Sequence, residues 1–170
     1  MAGKTTASES AIVSVAIGQW TVAEAPSRLR TLLGSCVGVV VYDRGGRVGG
    51  LAHIVLPNSR GATDHPGKYA DTAIPALIAE VERRLGGGPA CKLVAKLAGG
   101  ASMFPGGPPS PNVTLNIGRL NHEAVEAILT ARRIPILARD LGGGGGRNLT
   151  FDLATGIVSI RTPGGGEREI

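Results

Sequence analysis

Apolar positions recur along this chain with two different periods. From Ile12 to Ile17 apolar residues alternate with small ones, which predicts a strand. Val22 to Pro26 is expected to continue the edge of that sheet, and Leu29 to Leu33 predicts a further short strand ending at Gly34-Ser35-Cys36. Val37 to Tyr42 is a β-branched run, Asp43 to Arg47 a turn with two glycines, and Val48 to Leu56 apolar again. Strand, Gly-bearing turn, strand is the pattern of a hairpin. Pro57 to Lys68 is a loop rich in Pro, Gly, Ser, Asn and Asp.

The period changes at Tyr69. Ala70, Ala73, Ile74, Leu77, Ile78, Val81 and Leu85 recur at helical spacing, predicting a helix from Tyr69 to Leu85 that stops at Gly86-Gly87-Gly88. Pro75 falls about one turn in, near where proline costs least. Cys91 to Ala98 predicts a strand, followed by a long loop containing Pro105, Pro108, Pro109 and Pro111. Leu115 to Ile117 reads as a brief strand. Asn121 to Arg133 reads as a second helix, with His122 and Glu123 in its first turn and Arg132 and Arg133 in its last. That charge order suits the helix dipole. Ile134 to Arg139 predicts a strand, Gly142 to Gly146 a loop, and Leu149–Leu153 with Ile157–Arg161 a closing hairpin around Ala154-Thr155-Gly156. Residues 1–10 and 163–170 are polar and are expected to be flexible. The whole, 1–170, reads as a single domain without repeats or a linker.

Composition narrows the class. Hydrophobic residues make up 42% of 170, enough for a globular core, and at 3% aromatics that core must be aliphatic. The formal net charge of +5 raises nucleic acid as a partner. The basic residues are scattered, however, and the chain offers few aromatic stacking platforms, so nucleic-acid binding is not expected. No apolar run is long enough to span a bilayer, so no membrane insertion is expected. Two cysteines, Cys36 and Cys91, make no disulfide framework at this size; a reducing cytoplasmic setting with free thiols is expected.

Cys36 carries the first chemical signal. It follows Gly34-Ser35, where glycine allows a tight turn and leaves room for a substrate carbonyl. His53 lies seventeen positions on, in the second arm of the predicted hairpin, which folds it back toward Cys36. A thiol and an imidazole brought together this way make an activated nucleophile, with the thiolate expected to form below the free-cysteine value of about 8.5. The bland readings are a buried structural cysteine and a satisfied core histidine. Thr31, Asp43, Asp64 and Asp71 are candidates for the third group that orients the imidazole. His65 and His122 read as a loop residue and a helix residue. The cysteines and histidines lack the paired spacing of a zinc site, and neither glycine-rich stretch fits a phosphate or dinucleotide loop, so no metal or cofactor is expected.

A wider pattern runs through the chain: Thr31-Leu32-Leu33-Gly34-Ser35-Cys36-Val37-Gly38, Gly50-Leu51-Ala52-His53-Ile54-Val55-Leu56-Pro57, Lys68 to Ala73, Lys96 to Phe104, Asn116-Ile117-Gly118-Arg119 with Asn121, and Asp140 to Gly143 with Gly146-Arg147 and Phe151. In these blocks, in order over roughly residues 12–162, the chain resembles the chemoreceptor glutamine deamidase family, CheD. The resemblance implies an α+β fold, a layered α/β/β sandwich similar to that of deamidating bacterial toxin cysteine hydrolases. It implies hydrolysis of glutamine side chains to glutamate on the cytoplasmic domains of bacterial chemoreceptors, and a CheC-type phosphatase as partner. It implies Cys36 as nucleophile, His53 as base and Thr31 as third residue, in a segment one residue shorter than in many members. Gly34 and Ser35 are expected at the oxyanion or substrate approach. The other reading is a non-catalytic module that regulates a CheC-type phosphatase acting on phosphorylated CheY.

Overall fold

The computed structural model describes residues 10–45, 47–87, 92–102 and 116–170. Among the described residues, ten strands form two five-stranded sheets. The central sheet has the order β2 (Trp20–Glu24), β5 (Val48–Ile54), β4 (Val37–Asp43), β6 (Leu93–Gly99), β7 (Ile136–Leu141). The outer sheet has the order β1 (Ile12–Ser14), β3 (Arg28–Leu33), β8 (Arg147–Asp152), β9 (Val158–Arg161), β10 (Glu167–Glu169). Among the described residues, two α-helices, α1 (Ala70–Arg84) and α2 (Ile117–Ala131), complete the α+β fold.

The sequence explains the layering. β4 and β5 are buried almost throughout, and a strand covered on both faces reads as an unbroken apolar run, as Val-Gly-Val-Val-Val-Tyr does. Val37, Val39 and Val41 pack with Ala52, Ile54 and the apolar stripes of the two helices. Val40, Tyr42 and Leu51 face the other way and pack with Leu29, Leu149, Phe151 and Ile160 of the outer sheet. β3 covers only one side, so Arg28-Leu29-Arg30-Thr31-Leu32-Leu33 alternates exposed and buried, with Leu29, Thr31 and Leu33 inward.

Four expectations are corrected. Val22 does not extend the sheet of β1: β2 lies beside β5, with Trp20 opposite Ala52. The chain crosses between sheets at Ile17-Gly18, where Gly18 takes a φ of +69°. Helix α2 begins at Ile117, a turn before Asn121, so His122 and Glu123 are not in its first turn, and Arg132 and Arg133 lie past its end. An early start is possible because Gly118 lets the helix backbone meet the chain at Gly100 and Ala101. The tail is not a free end: β10 pairs with β9, Ile170 exchanges backbone hydrogen bonds with Val158, and Lys96 Nζ donates to Ile170 O at 2.8 Å. The expected strand Leu115–Ile117 is not formed at its last two residues, where Asn116 caps the helix and Ile117 begins it; Leu115, Cys91, the Pro-rich loop and residues 1–9 lie outside the described residues.

Candidate active site

The β4–β5 hairpin pairs Gly38 with His53 and Val37 with Ile54. Side chains alternate along a strand, so Gly38 and His53 share the face toward the outer sheet. Cys36, two residues before Gly38, packs against that same inter-sheet core. It stands one step diagonal to His53, a relation that separates backbones by roughly 7–8 Å and keeps side chains within reach. No thiol–imidazole hydrogen bond joins the two among the described residues. They line one cleft of about 560 Å³, together with Val15, Ile17, Thr31, Leu32 and Gly34. That volume holds a glutamine side chain with its flanking backbone, and it lies in the usual range for ligand pockets.

Thr31 comes from the opposite sheet. Its inward place in β3 carries its Oγ1 to 2.7 Å from His53 Nδ1, in a site where Thr31 and His53 are each only 4% exposed. The same hydroxyl lies 2.8 Å from the Val15 carbonyl oxygen. A carbonyl only accepts, so the single hydroxyl proton goes to Val15, and Oγ1 must accept from His53 Nδ1–H. This assigns the tautomer: Nδ1 carries the proton, and Nε2 holds a free lone pair. Asp43 and Asp71 are occupied elsewhere, Asp43 on the amides of Gly45 and Lys92 and Asp71 on Ser59. Asp64 and His65 are exposed, and His122 is half-buried on α2.

Burial sets the protonation of the pair. It pushes the Cys36 thiol up and holds the His53 imidazole below its ordinary value. Both are therefore neutral at pH 7. The expected low-value thiolate is not what this site favours, because among the described residues no cation outweighs the desolvation of Cys36.

The backbone beneath Cys36 is packed against neighbouring backbone. Gly99, at φ +109°, leaves no room for a side chain: a Cβ there would come within 2.3 Å of the Cys36 carbonyl oxygen. Gly100 N donates to Cys36 O at 2.8 Å, and Ala101 N to Gly34 O at 3.0 Å. Of the two expected approach residues, Gly34 lines the cleft, while Ser35 turns its carbonyl toward Asn121 of α2. The glycine loop 142–146 folds around buried Arg147, which donates to Gly142 O and Gly145 O and pairs with Asp140. Asn121 and Arg147 fall in the blocks of the resemblance but were given no site role in the sequence expectation. Asn121 had a legible signal, a polar residue within the buried stripe Gly118, Asn121, Val125, Leu129.

Residues 55–162 match the family model described as CheD chemotactic sensory transduction. The chain is 51% identical over 155 residues to a probable chemoreceptor glutamine deamidase CheD of Desulforamulus reducens, covering 89% of this chain and 91% of that one. It is 43% identical over 155 residues to the chemoreceptor glutamine deamidase CheD of Thermotoga maritima, covering 91% and 94%. A probable CheD of Methanococcus maripaludis is 43% identical over 151 residues, covering 88% and 94%. Spans of that length include residues 31–53 whichever end they leave out. The chain belongs to the CheD family.

Proposed function

We propose that this protein is a cysteine hydrolase that deamidates glutamine side chains of bacterial chemoreceptors to glutamate, in chemotaxis signalling. The observation that carries the reading is the Thr31 hydroxyl, fixed by Val15, accepting from His53 Nδ1–H in the cleft that Cys36 lines. It leaves Nε2 as the base. In this mechanism Nε2 takes the Cys36 proton as sulfur bonds to the glutamine carbonyl carbon, and the carbonyl oxygen becomes an oxyanion. The C–N bond then breaks, and the proton on Nε2 leaves with the nitrogen as ammonia. Nε2 next takes a proton from water as its oxygen attacks the thioester. The C–S bond breaks, and the thiol recovers its proton. With both groups neutral at rest, proton transfer accompanies attack.

Family membership supports three finer expectations: a fold similar to that of deamidating toxin hydrolases, a cytoplasmic location, and a CheC-type phosphatase as partner. No helix among the described residues is long and apolar enough to cross a membrane. The test is mass spectrometry of a co-expressed receptor cytoplasmic domain. Specific glutamines should show the amide-to-acid mass increase with the parent protein and none with Cys36→Ala. Full deamidation by Cys36→Ala would sink the mechanism, and no deamidation by the parent would favour the non-catalytic reading.

A further inference from the structure

The turn that presents Cys36 has three consecutive carbonyls, and all three are tied to one side. Gly34 O and Cys36 O are taken by the amides of Ala101 and Gly100. Ser35 O is taken by a side chain: Asn121 Nδ2 donates to it at 3.3 Å and to Val55 O at 2.9 Å. The peptides here are trans, so each C=O points opposite to the N–H that follows it. Tying Gly34 O and Ser35 O toward α2 and the 100–101 segment therefore turns the Ser35 and Cys36 N–H groups the other way. Among the described residues neither N–H has an acceptor.

Asn121 is fully buried, 0% exposed. Two carbonyl acceptors identify its NH2 end, and Oδ1 has no partner among the described residues. An unpaired buried acceptor is a cost to folding, so this carboxamide is not explained by stability alone. Helix α2 delivers it at close quarters. At Gly118 a Cβ would come within 2.5 Å of Gly100 O, so helix and segment meet backbone to backbone.

We propose that Asn121 is the positioning residue of the oxyanion hole. It fixes the Ser35–Cys36 peptide so that the Cys36 N–H, with the Ser35 N–H, faces the oxygen of the substrate carboxamide. Its second bond, to Val55 O, ties that peptide to the strand end two residues past His53. The inference rests on the cysteine-hydrolase reading.

The test compares parent, Asn121→Ala, Asn121→Asp and Cys36→Ala on a purified receptor cytoplasmic domain, with iodoacetamide alkylation of Cys36 measured in parallel. Alkylation displaces iodide from a saturated carbon and makes no oxyanion, so it reads the thiol and base alone. Losing one such donor lowers kcat by about 100-fold or more. A kcat loss of that order is expected in both Asn121 variants, with KM and the alkylation rate near those of the parent. Parent-like turnover, or alkylation falling in step with kcat, would overturn the proposal. If Cys36→Ala itself turns over, the functional reading fails instead. If neither Asn121 variant folds, the parent decides. With a peptide bearing a side-chain aldehyde in place of the carboxamide, the Ser35 and Cys36 amide proton resonances should move on hemithioacetal formation; unmoved resonances overturn the oxyanion hole.

Discussion

At the residue scale the site turns on one hydroxyl with two jobs. Thr31 donates to Val15 O and accepts from His53 Nδ1–H, so serine is a fair replacement and valine is not. Thr31→Val keeps the shape but leaves a buried donor and a buried acceptor unpaired, a loss of about 1–3 kcal/mol in stability. It should also lower kcat by at least about tenfold, with receptor KM little changed, because an orienting group acts on the chemical step. Thr31→Ser should retain most of the rate; parent-like turnover in Thr31→Val would remove Thr31 from the mechanism. The two neutral partners also set a pH window. His53 is held low, so its contribution to stability is present above about 6.5 and lost as pH falls through its folded value. Cys36 is raised, so its contribution is present below about 8.5 and lost as pH rises through its folded value. Denaturant midpoints across pH should therefore fall on both sides of that window, and Cys36→Ala should flatten the alkaline limb only. An alkaline limb unchanged in Cys36→Ala would assign it to another group.

At the element scale the C-terminal strand is the sharpest departure from expectation. β10 is held by β9 on one side and by Lys96, whose Nζ donates to Gly156 O and Ile170 O at 2.7 and 2.8 Å. Lys96→Met should speed amide exchange at Val158 and Ile170, which bond to each other, and cost about 1 kcal/mol once solvent screening is allowed for. Turnover should stay at the parent level, since Lys96 is not among the residues lining the Cys36 cleft. Unchanged exchange would mean that β9 alone holds the tail. This strand shows why some elements were legible in the sequence and others were not. The β4–β5 hairpin and α1 announce themselves through local period and glycine punctuation, and with them came the approach of Cys36 and His53. β10 is polar and exposed, Glu-Arg-Glu, so no hydrophobic period marks it, and it is held by its neighbour β9 and by the distant Lys96. β2 was legible as a strand, but its sheet depends on a crossing at Gly18. The direction of Thr31 was legible only as alternation; its hydroxyl partners come from β5 and from Val15. Asn121 was hidden by a helix start placed one turn late.

At the scale of the whole molecule, the central sheet is shared by two cores. One lies under the helices, and the other lies between the sheets and ends at the Cys36 cleft. Each strand of the β4–β5 hairpin contributes to both, Val39 and Ala52 on the helix side, Val40 and Leu51 on the other. Neither core keeps its walls if the other dissolves, so the chain should unfold as a single domain in one cooperative step. Trp20, the one tryptophan, packs at the helix-side core, and the Tyr42–Phe151 ring pair, with centroids 5.3 Å apart, lies in the other. Phe151→Ala should remove about 3–5 kcal/mol from the inter-sheet core. If the cores are coupled, Trp20 fluorescence, on the far side of the central sheet, must report that whole loss, and its denaturant midpoint must coincide with that for exposure of Cys36 to alkylation. Two separated transitions, with Trp20 unmoved by Phe151→Ala, would divide the chain into independent units. The cleft would then sit on a layer able to melt alone, and activity would vanish before the helix-side core unfolds.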